Sequence, residues 1–413
     1  MSGTSMVERD CVIAGGGPAG MLLGLLLARH GLRVSVLEKH ADFFRDFRGD
    51  TIHPSTLTVL GELGLRDAFL RLPVHRADRL DVVVNGHRLS PVDFALLGPP
   101  DDFLVLAPQW DLLNFIAQAS ADLPNYELRM STNATGLVIE DDLVVGLTAV
   151  GPTGDVEFRA PLTIAADGRH STLRAAAGLT PIEWGVPIDV LWFDLPVPDG
   201  PVPETLFSLD ANGFALTIPR GDHWQGGYVI PKGGFEALRA QGLDEFHRRF
   251  AATAPFTASV ISAVNDWDKV KLLSVQIDHL PRWHRPGFVA IGDAAHAMSP
   301  VGGVGVNYAI QDAVALANAI AGPLRDGAAL DAPIAAFQAR RERPVRSMQR
   351  IQRFIHDRMG RAARRHRSPV PPAALGLIRG LLPLLRPRFT RLVGLGLLPE
   401  HVSVGFEKPT PRQ

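Results

Sequence analysis

Cys11-Val12-Ile13-Ala14-Gly15-Gly16-Gly17-Pro18-Ala19-Gly20 is the stretch on which the fold turns. Its four leading apolar residues read as a short buried strand, and the apolar spacing of residues 19–30 reads as a helix. Residues 33–38 then alternate as a second strand, which completes a βαβ unit and calls for a parallel sheet. Between strand and helix stands Gly15-x-Gly17-x-x-Gly20. That spacing provides a tight turn, close backbone approach to a diphosphate and close packing of helix on strand. Pro18 and Ala19 fall in the first helical turn, where unpaired N–H groups and the helix dipole receive an anion. Glu38, beside Lys39 at the end of the second strand, is placed to accept hydrogen bonds from ribose hydroxyls and to disfavour a 2′-phosphate. The loop alone leaves FAD and NAD undistinguished.

Outward from this unit, a helix is expected over residues 55–70, with strands at 80–89 and 103–106 separated by Gly98-Pro99-Pro100. Helical spacing returns at 110–123, and strand-like runs follow at 127–130, 135–140 and 143–150. Between 181 and 280 the composition shifts to β-branched and aromatic residues broken by Gly and Pro, which predicts an inserted, mostly antiparallel sheet. After Gly305 the chain reads as helical again. The expected architecture is α/β: a Rossmann-like nucleotide domain from 1–75, 105–180 and 280–360, a substrate-binding β-sheet domain from 76–104 and 181–279, and a helical segment at 361–413.

With 413 residues, 46% of them hydrophobic, the chain can bury a large core. A formal net charge of −1 gives no general attraction to nucleic acid, and none is expected as a partner. Cys11 is the single cysteine, which fits a reducing compartment. The charged start of the sequence lacks the apolar run of an export signal, and no window of 18 apolar residues offers a membrane span, so a cytoplasmic protein is expected. No metal site is called for.

Two further stretches narrow the reading. Ala166-Asp167-Gly168-Arg169-His170-Ser171-Thr172-Leu173-Arg174 runs from an apolar strand through a tight turn into a helix. Ile291-Gly292-Asp293-Ala294-Ala295-His296 follows another apolar strand and continues through Ser299-Pro300-Val301-Gly302-Gly303-Val304-Gly305-Val306-Asn307. A helix starting near Val304 would present its positive end to an anion, and Gly302, Gly303 and Gly305 permit close backbone approach. With the glycine loop, the chain resembles the class A flavoprotein monooxygenases (aromatic hydroxylases) in order and spacing over residues 8–360. The stretch 181–279 matches in character rather than by motif.

That resemblance implies an FAD-dependent enzyme that consumes NADPH or NADH and O2 and delivers one oxygen atom to an aromatic or lipophilic, polyketide-like molecule through a flavin C4a-hydroperoxide. It implies that Asp167 and Gly168 lie near the FAD pyrophosphate, that Arg174 assists the nicotinamide coenzyme, and that Asp293 bonds the ribityl chain. It also places Pro300, Gly303, Gly305, Val306 and Asn307 along the flavin. Arg48, with Arg45 before it, matches an arginine near FAD or substrate, and Gln109 a contact to the phosphoribityl region. His53 and His296 have the pKa suited to deprotonating a phenol, although His296, within the motif, also reads as structural. Trp192, Phe207, Phe214, Trp224 and Tyr228 lie where alternating strand faces send some aromatics into a pocket and others into the core.

Other readings stay open. A flavin-dependent reductase or dehydrogenase shares the fold, as does a non-catalytic FAD-binding sensor. A halogenase would carry a Trp-x-Trp-x-Ile-Pro motif, which Trp224-Gln225-Gly226-Gly227-Tyr228-Val229-Ile230-Pro231 does not supply. Arginines and leucines interleave after Arg361; packing on the flavin domain is the favoured reading of that segment, and contact with a bilayer the lesser. The enzyme is expected to be a monomer or homodimer.

Overall fold

A computed structural model describes residues 5–44, 51–198, 205–220, 222–364, 368 and 370–403. Its centre is a six-stranded sheet in the order His284–Arg285, Phe288–Ala290, Leu162–Ala165, Cys11–Ala14, Val34–Leu37 and Tyr126–Arg129, parallel except at the first pair. These strands are short apolar runs because a parallel sheet is covered on both faces. The helix Pro18–Arg29 lies against it with residues 19–28 all buried, as befits a core helix. Gly24 lets it sit close: a Cβ there would stand 2.6 Å from Val36.

The glycine-loop strand, its helix and the following strand form as the sequence predicts. Elsewhere the boundaries differ, each for a local reason. The helix expected over 55–70 is two, Pro54–Glu62 and Arg66–Phe69, broken at Gly64, whose φ is +71°. The strand expected over 80–89 is a hairpin, Arg79–Val84 and His87–Asp93, turning on Asn85 and Gly86, both at positive φ. Asn-Gly is the commonest sequence for such a turn. The runs at 135–140 and 143–150 leave the central sheet and form their own four-stranded sheet with Ser5–Glu8 and Gly154–Arg159.

The insertion builds a seven-stranded sheet in the order Lys271–Leu273, Ile188–Pro196, His223–Pro231, Phe214–Pro219, Thr205–Leu209, Arg79–Val84 and His87–Asp93. One pairing, Thr205–Leu209 with Arg79–Val84, is parallel, since the chain passes through the central sheet between them. The region is not strand throughout. The helix Leu243–Thr253 covers one sheet face with Phe246 and Phe250, four residues apart on its buried side. Two long helices close the described chain, Asp331–Arg364 and Pro372–Gly394.

Candidate functional site

Gly15 has φ +110°, and a Cβ on it would overlap the carbonyl of Ala166 at the head of the Asp-Gly turn. Gly20 sits directly beneath, where a Cβ would overlap the Gly15 carbonyl. Gly17 differs. It is the N-cap of Pro18–Arg29, and among the described residues no side chain caps the helix and nothing lies within 4 Å of where its Cβ would be. The first N–H groups of a buried helix therefore open onto a cradle that any side chain at Gly17 would fill. Glu38, buried, accepts from the N–H groups of Gly16 and His40 at 3.0 Å each and braces the loop, while Lys39 is exposed.

Gly292, at φ +58°, is wedged between Ala19 and Ala309, to which its Cβ would approach within 3.3 and 3.5 Å. It thereby joins the beginnings of the helices Pro18–Arg29 and Gly305–Arg325. Among the described residues the second of these also starts without a side-chain cap, after Gly302 and Gly303 at positive φ. Thr51 donates from its hydroxyl to the Gly303 carbonyl at 2.9 Å. Two uncapped helix starts, flanked by glycines, fit the diphosphate and the electron-rich ring edge of one extended FAD.

Several candidates have positions other than those expected of them. Arg174 is buried, donating to the Ala294 carbonyl at 3.1 Å and the Arg169 carbonyl at 2.7 Å, so it ties the two motifs together and cannot reach a nicotinamide coenzyme in solution. Arg169 is the less buried arginine of this turn, paired with Asp293 at 3.2 Å. Asp167 turns into its own turn, accepting from the Ser171 hydroxyl and from the Leu173 N–H at 3.2 Å, and burial raises its pKa. Gly168, at φ +85°, has open space at its Cα. Asn307 spends its amide on a neighbouring segment, accepting from the His53 N–H at 2.9 Å and the Thr56 hydroxyl at 2.7 Å and donating to the Thr51 carbonyl at 3.2 Å. Val306 is buried beside it; Pro300 and Gln109 are half-buried, and Gln109 opens the helix Gln109–Ser120. Arg45 and Arg48 lie outside the described residues.

His296 is not placed for catalysis. Its ring is buried against Trp283, centroids 4.9 Å apart, and its Nε2 lies 2.6 Å from the buried Asp312 carboxylate. Asp312 also accepts from the Gly292 N–H at 3.0 Å and from Arg341 Nε at 2.9 Å. Burial alone would raise the Asp312 pKa, but His296 and Arg341 together draw it below the ordinary carboxylate value. Arg341, also buried, lies 3.5 Å from Glu400, so the end of the described chain is latched to the Gly-Asp motif. Sequence reading passed over Asp312 and Arg341, whose only signal was a charged residue on an apolar helical face.

The chain after Gly305 is helical as expected, but the side chains of the helix Asp331–Arg364 that stitch down the Pro300 loop were passed over. Gln349 donates to the carbonyls of Asp278 and Ala297, Gln352 to those of Ser299 and Val301, and His356 Nε2 lies 2.8 Å from the Ser299 hydroxyl. These three are spaced along one face of the helix.

His53 is buried, with Nδ1 2.6 Å from the Val393 carbonyl. A carbonyl only accepts, so Nδ1 carries the proton and Nε2 presents a lone pair. Burial pushes its pKa down to about 4 against the opposing pull of the Val393 and Gly303 carbonyls, and burial does the same to His356. Both histidines fold neutral, whereas the unfolded chain binds their protons below about pH 6.5. Their contribution to stability is therefore full above pH 6.5 and is lost as pH falls toward 4. The urea midpoint is expected to drop across that window and to drop less in His356→Gln. A wild-type midpoint independent of pH there, or an unchanged slope in the variant, refutes the assignment.

The seven-stranded sheet sorts the aromatics. Trp192, Phe207 and Phe214 share the face that packs with Leu104, Leu106 and Ile277. Leu106 pairs with Thr51, which bonds Gly303, and Ile277 precedes Asp278, whose carboxylate holds the Ala297 N–H at 3.0 Å, so this face meets both flanks of the Pro300 loop. Trp224 and Tyr228 point the other way, into a separate core with Phe193, Phe246 and Phe250. The period-two alternation of the strand sends them to the far face from Trp192, where they pack as core.

Residues 8–351 match the family described as FAD binding domain. The chain is 32% identical over 372 residues, 89% of its length and 88% of the relative's, to the 6-methylpretetramide 4-monooxygenase of Streptomyces rimosus. It is 27% identical to the para-nitrophenol 4-monooxygenase of Pseudomonas sp. strain WBC-3, over 77% of this chain and 79% of that one. The solved p-nitrophenol 4-monooxygenase PnpA from Pseudomonas putida DLL-E4 superposes with a TM-score of 0.74 at 22% identity, covering 95% of this chain and 99% of that one. With its three motifs gathered around one cradle, the chain belongs to the FAD binding domain family and is an FAD-dependent monooxygenase of class A.

Proposed function

We propose that the enzyme hydroxylates a fused-ring or phenolic aromatic, polyketide-like in character, held between the Pro300 loop and the sheet face bearing Trp192, Phe207 and Phe214. The observation that carries this reading is the Trp192 indole N–H, buried within an apolar layer and without a hydrogen-bond partner among the described residues. A buried donor left unpaired is costly, and a substrate hydroxyl or carbonyl oxygen supplies the partner. Bound FAD supplies the redox chemistry, taking reducing equivalents from NADPH or NADH and activating O2.

The protein's own part is to bind, orient and keep the site dry. Gly15, Gly17 and Gly20 with Pro18 and Ala19 receive the diphosphate, Glu38 lies toward the ribose, and Gly292, Asp293, Gly303 and Gly305 follow the ribityl chain and ring. His53, kept neutral by burial, does not serve as the base for a phenol; with Tyr308 and Gln311 it lines a cavity of about 10 Å³, room for a single water, behind the Gly303 turn. The similarity to 6-methylpretetramide 4-monooxygenase supports a polycyclic substrate.

NAD(P)H oxidation by the FAD-loaded enzyme is expected to accelerate with one class in a panel of phenols, quinolones and polycyclic polyketides. The product should carry one atom of labelled O2, and Trp192→Phe should raise KM by about tenfold, the value of one hydrogen bond. Label entering only from water, or turnover without oxygen, removes the proposal.

A further inference from the structure

The helix Pro372–Gly394 has two unlike faces. Leu375, Leu382 and Thr390 are buried, and Thr390 accepts from the Asp93 N–H at 3.0 Å, which clips that side to the edge strand His87–Asp93. On the opposite side Leu377, Leu381 and Leu384 are 66%, 44% and 74% exposed. Their spacing, i, i+4 and i+7, makes one outward row, which Arg388 and Arg391 continue at i+11 and i+14. Between residues 340 and 391 the sequence places fifteen arginines against two carboxylates, Glu342 and Asp357, in a chain whose net charge is −1. Among the described residues, Arg379, Arg388 and Arg391 have no carboxylate within ion-pair distance. The preceding helix has the same character, with Phe354 59% exposed near Arg350 and Arg358.

We propose that this face binds an anionic lipid bilayer, lying in the interface with the leucine row in the acyl boundary and the guanidinium groups at the headgroup phosphates. A row of exposed leucines bordered by unpaired arginines meets both demands of such a surface, apolar burial and charge attraction. No described helix is long and apolar enough to cross the membrane, so contact is peripheral. A second copy of the chain is the poorer occupant, because it would set Arg388 and Arg391 against their own equivalents with no carboxylate of the segment to pair them. An acidic protein would satisfy the arginines but not the leucines. The same helix carries Val393, whose carbonyl holds His53, and so links the lipid face to the wall of the flavin site.

Full-length protein, sedimented with vesicles of equimolar phosphatidylglycerol and phosphatidylcholine at low salt, is expected to bind. It should bind little to phosphatidylcholine alone and release at high salt. Leu377→Glu/Leu384→Glu and Arg388→Glu/Arg391→Glu should each weaken binding by at least about tenfold, with bound-flavin absorbance and melting temperature unchanged. The two pairs alter different properties of the surface, so misfolding of one leaves the other as the test. Absence of binding to anionic vesicles, or equal binding by the folded variants, overturns the proposal. So does a dimer in light scattering that Leu377→Glu/Leu384→Glu dissociates while vesicles do not bind, or retention on an acidic protein without vesicle binding.

Discussion

Gly17→Val is expected to yield a folded protein that purifies with little or no flavin. A Cβ at this position meets no atom of the described residues within 4 Å, so the apoprotein should melt at the wild-type temperature. The same side chain fills the cradle in front of the uncapped helix, and FAD affinity should fall by at least about a hundredfold, near 3 kcal/mol. Gly20→Ala makes the contrast. Its Cβ would overlap the Gly15 carbonyl, so it should lower the apoprotein melting temperature together with flavin binding. Equilibrium dialysis of FAD beside thermal melts of the apoproteins separates the two. Wild-type FAD affinity in Gly17→Val would mean the diphosphate lies elsewhere, and the site reading would fail with it.

The second large effect concerns stability. Arg341→Met strips the guanidinium from Asp312 and Glu400, all three buried. Removing one partner of a buried ion pair leaves an uncompensated charge and costs about 3–5 kcal/mol, to be read as a lowered urea midpoint. Because Asp312 also holds the Gly292 N–H and His296, FAD should be released earlier in the unfolding transition than in the wild type. Arg341→Met/Asp312→Asn, which neutralises the stranded carboxylate, should recover part of the loss. A change below about 1 kcal/mol in the single variant would show the latch to be ornamental.

The halves of this protein differ in how openly the sequence states them. Around the glycine loop, residues near in sequence are the ones that meet: strand, turn and helix follow within twenty residues, and only glycine tolerates the geometry at Gly15. The Asn85-Gly86 hairpin was equally local and could have been read by its turn chemistry alone. The aromatics of the inserted sheet were not open to such reading. Composition marks them as strand residues, but which face meets the flavin loop depends on register against strands distant in sequence, such as Phe207 paired through Arg79–Val84.

What the sequence by itself determined was the nucleotide-binding core and its cofactor, because tight turns, helix starts and short apolar strands are local consequences of residue type. What only the tertiary structure decided was which charged and aromatic residues reach the site. Arg174 and His296 belong to the motifs yet are turned inward as braces. Asp312, Arg341, Gln352 and His356, from helices beyond the motifs, hold the flavin loops in place. Trp192 packs on the sheet face with Leu106 and Ile277, while Trp224 on the neighbouring strand packs on the other. A buried polar group must find its partner wherever the packed chain provides one, and that pairing is written in three dimensions rather than in spacing along the chain.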